Sequence, residues 1–217
     1  MEECDGGVAS ELSSETLQAL LEFERKQGAM NLSHVTDLLL PEEEEAEVAE
    51  MPSEDWQLSQ FWYTEKTAEV LATEASSVGT RIACVSCPTL YTALLPVKPE
   101  TCEVVLFEYD TRFNKFGKNF VFYDYNEPLR VDAVHHHNYD LVVADPPFLS
   151  DECLRKTSET IKLLTNDNIL LLTGAIMEES AKNLLGLTRC NFRPLHTNNL
   201  ANDFLCYTNY TSTHLNQ

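Results

Sequence analysis

The chain has 217 residues, 43% of them hydrophobic, and carries 35 Asp+Glu against 15 Lys+Arg, a formal net charge of −20. That length suits one domain with an appendage, and the charge excludes the basic face of a protein that grips a nucleic-acid backbone. No apolar run reaches the roughly 18 residues of a membrane helix, so neither nucleic acid nor membrane is expected as a partner.

The acidity is uneven. Residues 1–55 hold 16 acids and 2 bases, and residues 56–217 hold 19 acids and 13 bases. The strong field favours a basic partner. The acidic start has no basic and apolar leader, and the 7 cysteines are scattered and odd in number. Reduced thiols and a cytoplasmic location are therefore expected. The domain reading is an acidic N-terminal extension over 1–55 and one folded domain over 56–217.

In chain order, residues 1–10 read as unstructured. Residues 13–27 read as a helix with a Ser N-cap, Gly28 at its end and an apolar face of Leu17, Leu20 and Leu21. Residues 41–55, with Glu42–Glu45 in a row, read as a solvated linker. From Trp56 onward strand-like and helix-like runs alternate. Strands are expected at Arg81–Ser86, Glu103–Phe107, Phe120–Phe122, Leu141–Ala144 and Asn168–Thr173. Helices are expected at 64–78, 88–95, 111–117, 150–165 and 176–185. Thr64 and Ser150 are N-cap residues, and Gly79 and Gly186 stand at C-cap positions. Such alternation predicts an α/β fold with a doubly wound, mostly parallel sheet. Leu187–Arg193 and Phe204–Tyr210 have no helix between them and predict an antiparallel C-terminal hairpin at the sheet edge. Seven strands result.

The chemistry concentrates at strand ends. Asp140 to Leu149 reads Asp-Leu-Val-Val-Ala-Asp-Pro-Pro-Phe-Leu. A buried strand ends in a carboxylate, Asp145. Two prolines follow that cannot donate backbone hydrogen bonds, Pro146 and Pro147, and then an aromatic ring, Phe148. A stiff turn that offers acceptors suits an amine, and the ring can hold a planar or cationic group. In open α/β sheets ligands bind at this edge. Ser86, then Glu108 and Asp110, then Asp124 and Tyr125 end the preceding three strands. An acid after the second strand commonly meets ribose hydroxyls. With 7 glycines in the chain and none between Gly79 and Gly117, a phosphate-cradling loop is disfavoured. Phe61-Trp62-Tyr63 cannot all enter one core layer. They are read either as a core staple or as a lid that stacks on a ligand. Cys84 and Cys87 have C-x-x-C spacing but no second pair, so packed thiols are expected. His135–His137 reads as an exposed loop, and no metal is expected.

The Asp-Pro-Pro-Phe turn resembles the (Asn/Asp)-Pro-Pro-(Tyr/Phe) motif of class I S-adenosylmethionine-dependent amino methyltransferases, whose fold is Rossmann-like. Trp56–Tyr63, Phe107–Arg112, Phe122–Asn126, Val142–Ser150, Cys153–Thr160, Thr173–Glu179 and Asn199–Cys206 are more specific. They are similar to the eukaryotic elongation factor 1-alpha lysine methyltransferases, a family formerly described as N6-adenine DNA methyltransferases. The similarity runs from about Trp56 to Tyr210.

The resemblance implies methyl transfer from S-adenosylmethionine to a lysine ε-amine of a basic protein, elongation factor 1-alpha, by a monomeric enzyme. Asp145, Pro146, Pro147 and Phe148 become the catalytic residues. Phe61, Trp62, Tyr63, Ser86, Glu108, Asp110, Asp124, Tyr125 and Asp145 become the cofactor-binding residues. Asp145 is expected to orient the amine, with the Pro146 carbonyl as second acceptor. The alternatives are adenine-N6 methylation, which needs a basic groove, a cofactor-binding module without turnover, and a thiol oxidoreductase using Cys84 and Cys87.

Overall fold

A computed structural model describes residues 51–198, 200 and 202–217. The expected helix at 13–27 and most of the acidic linker lie outside the described residues.

The sheet has seven strands: β1 (Arg81–Val85), β2 (Glu103–Glu108), β3 (Phe120–Phe122), β4 (Leu141–Ala144), β5 (Asn168–Gly174), β6 (Thr188–Arg189) and β7 (Phe204–Thr208). Their spatial order is β3-β2-β1-β4-β5-β7-β6. The first five run parallel, and β7 pairs antiparallel with β5 and with β6. The order reverses between β1 and β4, so the ends of these two strands flank the topological switch point where open α/β sheets bind ligands.

Among the described residues the α-helices are α1 (Glu65–Val78), α2 (Pro88–Leu94), α3 (Asp151–Leu164) and α4 (Glu178–Leu185). Thr64 and Ser150 cap α1 and α3 as expected, their hydroxyls accepting from the backbone N–H of Thr67 and Cys153. Gly186 ends α4 in the left-handed conformation at φ 69°. Gly79 is the C-cap of α1 as expected, its N–H donating to the Ala75 carbonyl, but its backbone is extended rather than left-handed. The reason for glycine there is space: a Cβ would lie 3.1 Å from the Leu141 Cβ. The expected helix at 111–117 is instead a 3-10 stretch, Thr111–Asn119, broken at Gly117.

The strands carry continuous apolar runs because both sheet faces are covered. Alternation along β1 sends Ile82 and Cys84 to the layer with Leu71, Leu90 and Leu94. Ala83 and Val85 go to the opposite layer with Leu154, Ile161 and Ala181. Cys84, Cys87, Cys102, Cys153, Cys190 and Cys206 are buried free thiols, which agrees with packed thiols rather than a redox pair. The histidine tract is less exposed than expected. His135 Nδ1 lies 2.7 Å from the Tyr139 hydroxyl, and His136 Nε2 lies 3.0 Å from the Val131 carbonyl. No metal-ligand cluster occurs among the described residues.

Candidate active site

The C-terminal ends of β1 to β4 open into one cavity of about 590 Å³. Ser86 and Cys87 enter it after β1, Glu108 and Tyr109 at the end of β2, Asp124 and Tyr125 after β3, and Asp145 to Leu149 after β4. The fourth wall comes from outside the strand ends, from Gln57–Tyr63 and from His196, Leu200, Asn202 and Phe204. Three carboxylates line the cavity, and no Lys or Arg does among the described residues.

The first turn achieves its geometry without glycine. Ser86 adopts φ 54°, a left-handed conformation that L-residues other than Gly rarely hold. Its N–H donates to the Phe107 carbonyl at 2.8 Å, which ties the turn to β2. Such strain clusters at ligand sites, where the surrounding structure enforces it.

Asp145 sits at the switch point. Its backbone N–H donates to the Val85 carbonyl at 3.0 Å. Its Oδ2 accepts a hydrogen bond from the Tyr63 hydroxyl, and Oδ1 has no partner among the described residues. Burial, reinforced by the Glu108 charge and opposed by the Tyr63 hydrogen bond, pushes its pKa up to about 7. Glu108, 7% exposed, is likewise raised to about 7 by burial. Its Oε1 accepts from the backbone N–H of Tyr109 and Asp110 at 3.0 and 3.1 Å. Its Oε2 has no hydrogen-bond partner among the described residues. Two carboxyls, Glu108 buried and Asp145 half-buried, are therefore raised to about 7 in a cavity that offers them no cation among the described residues. A ligand bringing positive charge and hydroxyl donors relieves that cost.

The three consecutive aromatics diverge, as their spacing required. Trp62 packs edge-on against Phe113 at 6.3 Å and donates through Nε1 to the Pro52 carbonyl at 2.9 Å. Phe61 is half-buried at the cavity wall. Tyr63 is 4% exposed, with its ring 4.9 Å from that of His196.

Asp110 does not line the cavity. Its carboxylate accepts from Gln60 Nε2 at 2.8 Å and from Arg112 Nε at 2.8 and 3.1 Å, with Arg112 Nη2 at 2.7 Å. Against the cost of burial, the guanidinium and the amide hold its pKa below the usual range. Arg112 also donates to the Ser53 carbonyl at 3.1 Å and to Gln60 Oε1 at 2.9 Å. Asp110 thus latches the segment 53–63 to the end of β2 instead of lining the cavity. Glu54 makes a second latch. It accepts from the Trp62 N–H at 2.7 Å, from Thr197 Oγ1 at 3.2 Å and from Asn198 Nδ2 at 2.5 Å. Residues 51–55, read from sequence as the end of a linker, are therefore packed, because Met51 and Glu54 have partners far along the chain.

All the other expected site residues, Phe61, Trp62, Tyr63, Ser86, Glu108, Asp124, Tyr125, Asp145, Pro146, Pro147 and Phe148, line this one cavity. Tyr125 and Phe148 meet edge to face at 5.7 Å, and Lys156 Nζ lies 5.7 Å over the Tyr125 ring. Sequence reasoning missed His196, Leu200, Asn202 and Phe204. The available signal was loop length: the connection 190–203 between the hairpin strands is far longer than a hairpin needs, and long loops in compact domains are commonly functional.

Comparison with known proteins places this geometry. Residues 54–212 match a family model described as "Probable N6-adenine methyltransferase". The mouse protein named EEF1A lysine methyltransferase 1 is 50% identical over 98% of this chain and 97% of its own length. The human protein of the same name is 47% identical, over 98% and 97%. A Caenorhabditis elegans protein named protein-lysine N-methyltransferase M142.8 is 40% identical over 92% of this chain and 94% of its own. Among solved structures, an O-methyltransferase from Bacillus cereus in complex with SAH superposes with a TM-score of 0.51 at 11% identity, covering 81% of this chain and 94% of that one. That similarity is one of fold. The seven-stranded order, the carboxylate-lined switch point and the near full-length matches agree, and the chain belongs to the probable N6-adenine methyltransferase family, alongside the vertebrate EEF1A lysine methyltransferase 1 proteins.

Proposed function

We propose that this chain transfers a methyl group from S-adenosylmethionine to a lysine ε-amine of translation elongation factor 1-alpha, acting as a monomer in the cytoplasm. The enzyme class is that of its relatives, protein-lysine N-methyltransferases. The observation that carries the reading is the cavity: three carboxylates, no Lys or Arg among the described residues, and a proline-locked turn at its centre. Phosphates would meet repulsion there, whereas a sulfonium and an amine would not.

The residues present fit the cofactor. Glu108 lines the cavity at the end of β2, and its Oε2, without a hydrogen-bond partner among the described residues, is an acceptor for paired hydroxyls. Asp124 and the Ser86 turn complete that end of the cavity. When bound, S-adenosylmethionine supplies an electrophilic methyl on a sulfonium. Asp145 Oδ1 and the Pro146 carbonyl accept the two N–H groups of a neutral amine, which leaves the lone pair free. Phe148 and Tyr125 pack beside it. The amine must first lose its proton. That proton leaves to solvent, because Asp145 accepts from the amine only as the ionised carboxylate. Enclosure in the apolar part of the cavity disfavours the ammonium and so lowers the cost of losing it. Exclusion of water and orientation supply the remaining rate gain.

The acidic chain suits a basic protein substrate. A second reading, methylation of adenine N6, has the family model's description in its favour. The deciding experiment incubates the protein with labelled S-adenosylmethionine and either a cell lysate or oligonucleotides. Label on one lysine of elongation factor 1-alpha, located by mass spectrometry, is the expected result. Label on oligonucleotides alone would replace the proposal with the second reading.

A further inference from the structure

By sequence, Tyr63 is one of three consecutive aromatics that suit either a core staple or a lid over a ligand. Its environment assigns it differently. Its backbone is clamped on both sides, because Thr64 N–H donates to the Leu195 carbonyl at 2.9 Å and Thr197 N–H donates to the Trp62 carbonyl at 2.8 Å. These bonds flank an antiparallel bridge between Tyr63 and His196. Its ring lies against the His196 ring, which packs in turn on Phe204 at 4.8 Å. The phenol is therefore fixed at both ends, and its hydroxyl ends on Asp145 Oδ2. Asp145 takes no other side-chain hydrogen bond among the described residues.

We propose that Tyr63 is a positioning residue for methyl transfer: its hydroxyl occupies Asp145 Oδ2, fixes the rotation of the carboxylate, and reserves Oδ1 for the substrate amine. This rests on the proposed lysine methylation. An aspartate carboxylate turns readily about the bond to its single methylene unless one oxygen is held. A planar acceptor pair of Oδ1 and the Pro146 carbonyl orients a lone pair only if Oδ1 stays in place. A neutral amine has two N–H groups, so two acceptors satisfy it, and a third acceptor at Oδ2 would allow competing poses. The donor also favours the ionised carboxylate, the form that accepts from the amine. The other titratable groups around Asp145 are Glu108 at the end of β2, Cys87 after β1 and Cys206 on β7. A Tyr63→Phe change alters none of them and keeps the ring contact with His196.

The test compares Tyr63→Phe with the wild type in three measurements. In the first, the Asp145 carboxyl is titrated by carbon-13 NMR in the free protein. Its pKa should rise by about one to two units in the variant, the value of a lost hydrogen bond to a charged group. This readout is independent of any activity. In the second, steady-state kinetics should show kcat lowered about tenfold or more, with KM for the protein substrate changed less than about twofold and the acid limb of the kcat profile moved upward. In the third, calorimetry should give S-adenosylmethionine affinity within about twofold of wild type. An unmoved carboxyl titration overturns the proposal, as does a wild-type kcat. A variant that loses cofactor affinity while keeping kcat also overturns it and returns Tyr63 to a cofactor contact. If the wild type methylates no protein at all, the functional reading fails instead, and the carboxyl titration still decides whether Tyr63 holds Asp145.

Discussion

Replacing Asp145 by asparagine isolates the cost of its buried charge. The carboxyl ordinarily titrates at 3.8 and is raised to about 7 here, chiefly by burial. That gap corresponds to about 4 kcal/mol at 1.36 kcal/mol per unit. A carboxyl raised in the folded state binds its proton more tightly there than in the unfolded chain. Its favourable contribution is complete below about pH 4 and is lost as pH rises through 7. The neutral amide keeps an acceptor for the Tyr63 hydroxyl and carries no charge at any pH. Its own unpaired N–H groups add a constant offset. The stability of Asp145→Asn relative to wild type should therefore increase with pH, by about 4 kcal/mol between pH 4 and pH 8. Urea denaturation at several pH values, at constant ionic strength, measures the difference. A stability gap that stays flat across that range would refute the buried-charge argument. The same variant should lose turnover, since an amide offers one acceptor where the carboxylate offers two.

The two acids after β2 should separate. Glu108→Ala should weaken S-adenosylmethionine binding about tenfold or more by calorimetry because its unpartnered oxygen faces the cavity proposed to hold the cofactor. Asp110→Ala should mainly cost fold stability, roughly 1.5–3 kcal/mol in urea, because it releases Arg112 and Gln60. Intact stability with lost cofactor affinity in the Asp110 variant would restore the ribose role to that residue. Ser86→Gly should stabilise the protein by roughly 0.5–1 kcal/mol, since glycine relieves the left-handed strain but gains unfolded entropy. A destabilised variant would show that the Ser86 side chain contributes more than the strain costs. Gly79→Ala should lose roughly 1–3 kcal/mol, because its Cβ would press on Leu141 at 3.1 Å. An unchanged urea midpoint would mean the chain relaxes there.

Much of the site was readable because its signals are local. Leu141–Ala144 followed by Asp145-Pro146-Pro147-Phe148 defines a strand, its end and its chemistry within eight residues. Acids after the second and third strands needed only strand boundaries to be placed at one edge. Thr64 and Ser150 cap helices through hydrogen bonds three residues away, so their roles too were visible in sequence. Strand alternation puts Asp110 on the same face as Glu108, yet it lies outside the cavity lining. Besides Arg112, two residues on, it is held by Gln60, fifty residues earlier.

The sequence by itself determined the α/β alternation, the strand ends that carry acids and the rigid turn at Asp145, because each depends on periodicity or on the stereochemistry of neighbouring residues. Only the tertiary structure decided which acid lines the cavity and which serves as a latch. It also brought His196 and Phe204 to the cavity and aimed Tyr63 at Asp145. The physical reason is that a carboxylate's role is set by what surrounds it in space. Enclosure without a cationic partner makes Glu108 and Asp145 receptive to a cation, whereas the neighbouring Arg112 guanidinium and the Gln60 amide from fifty residues away satisfy Asp110.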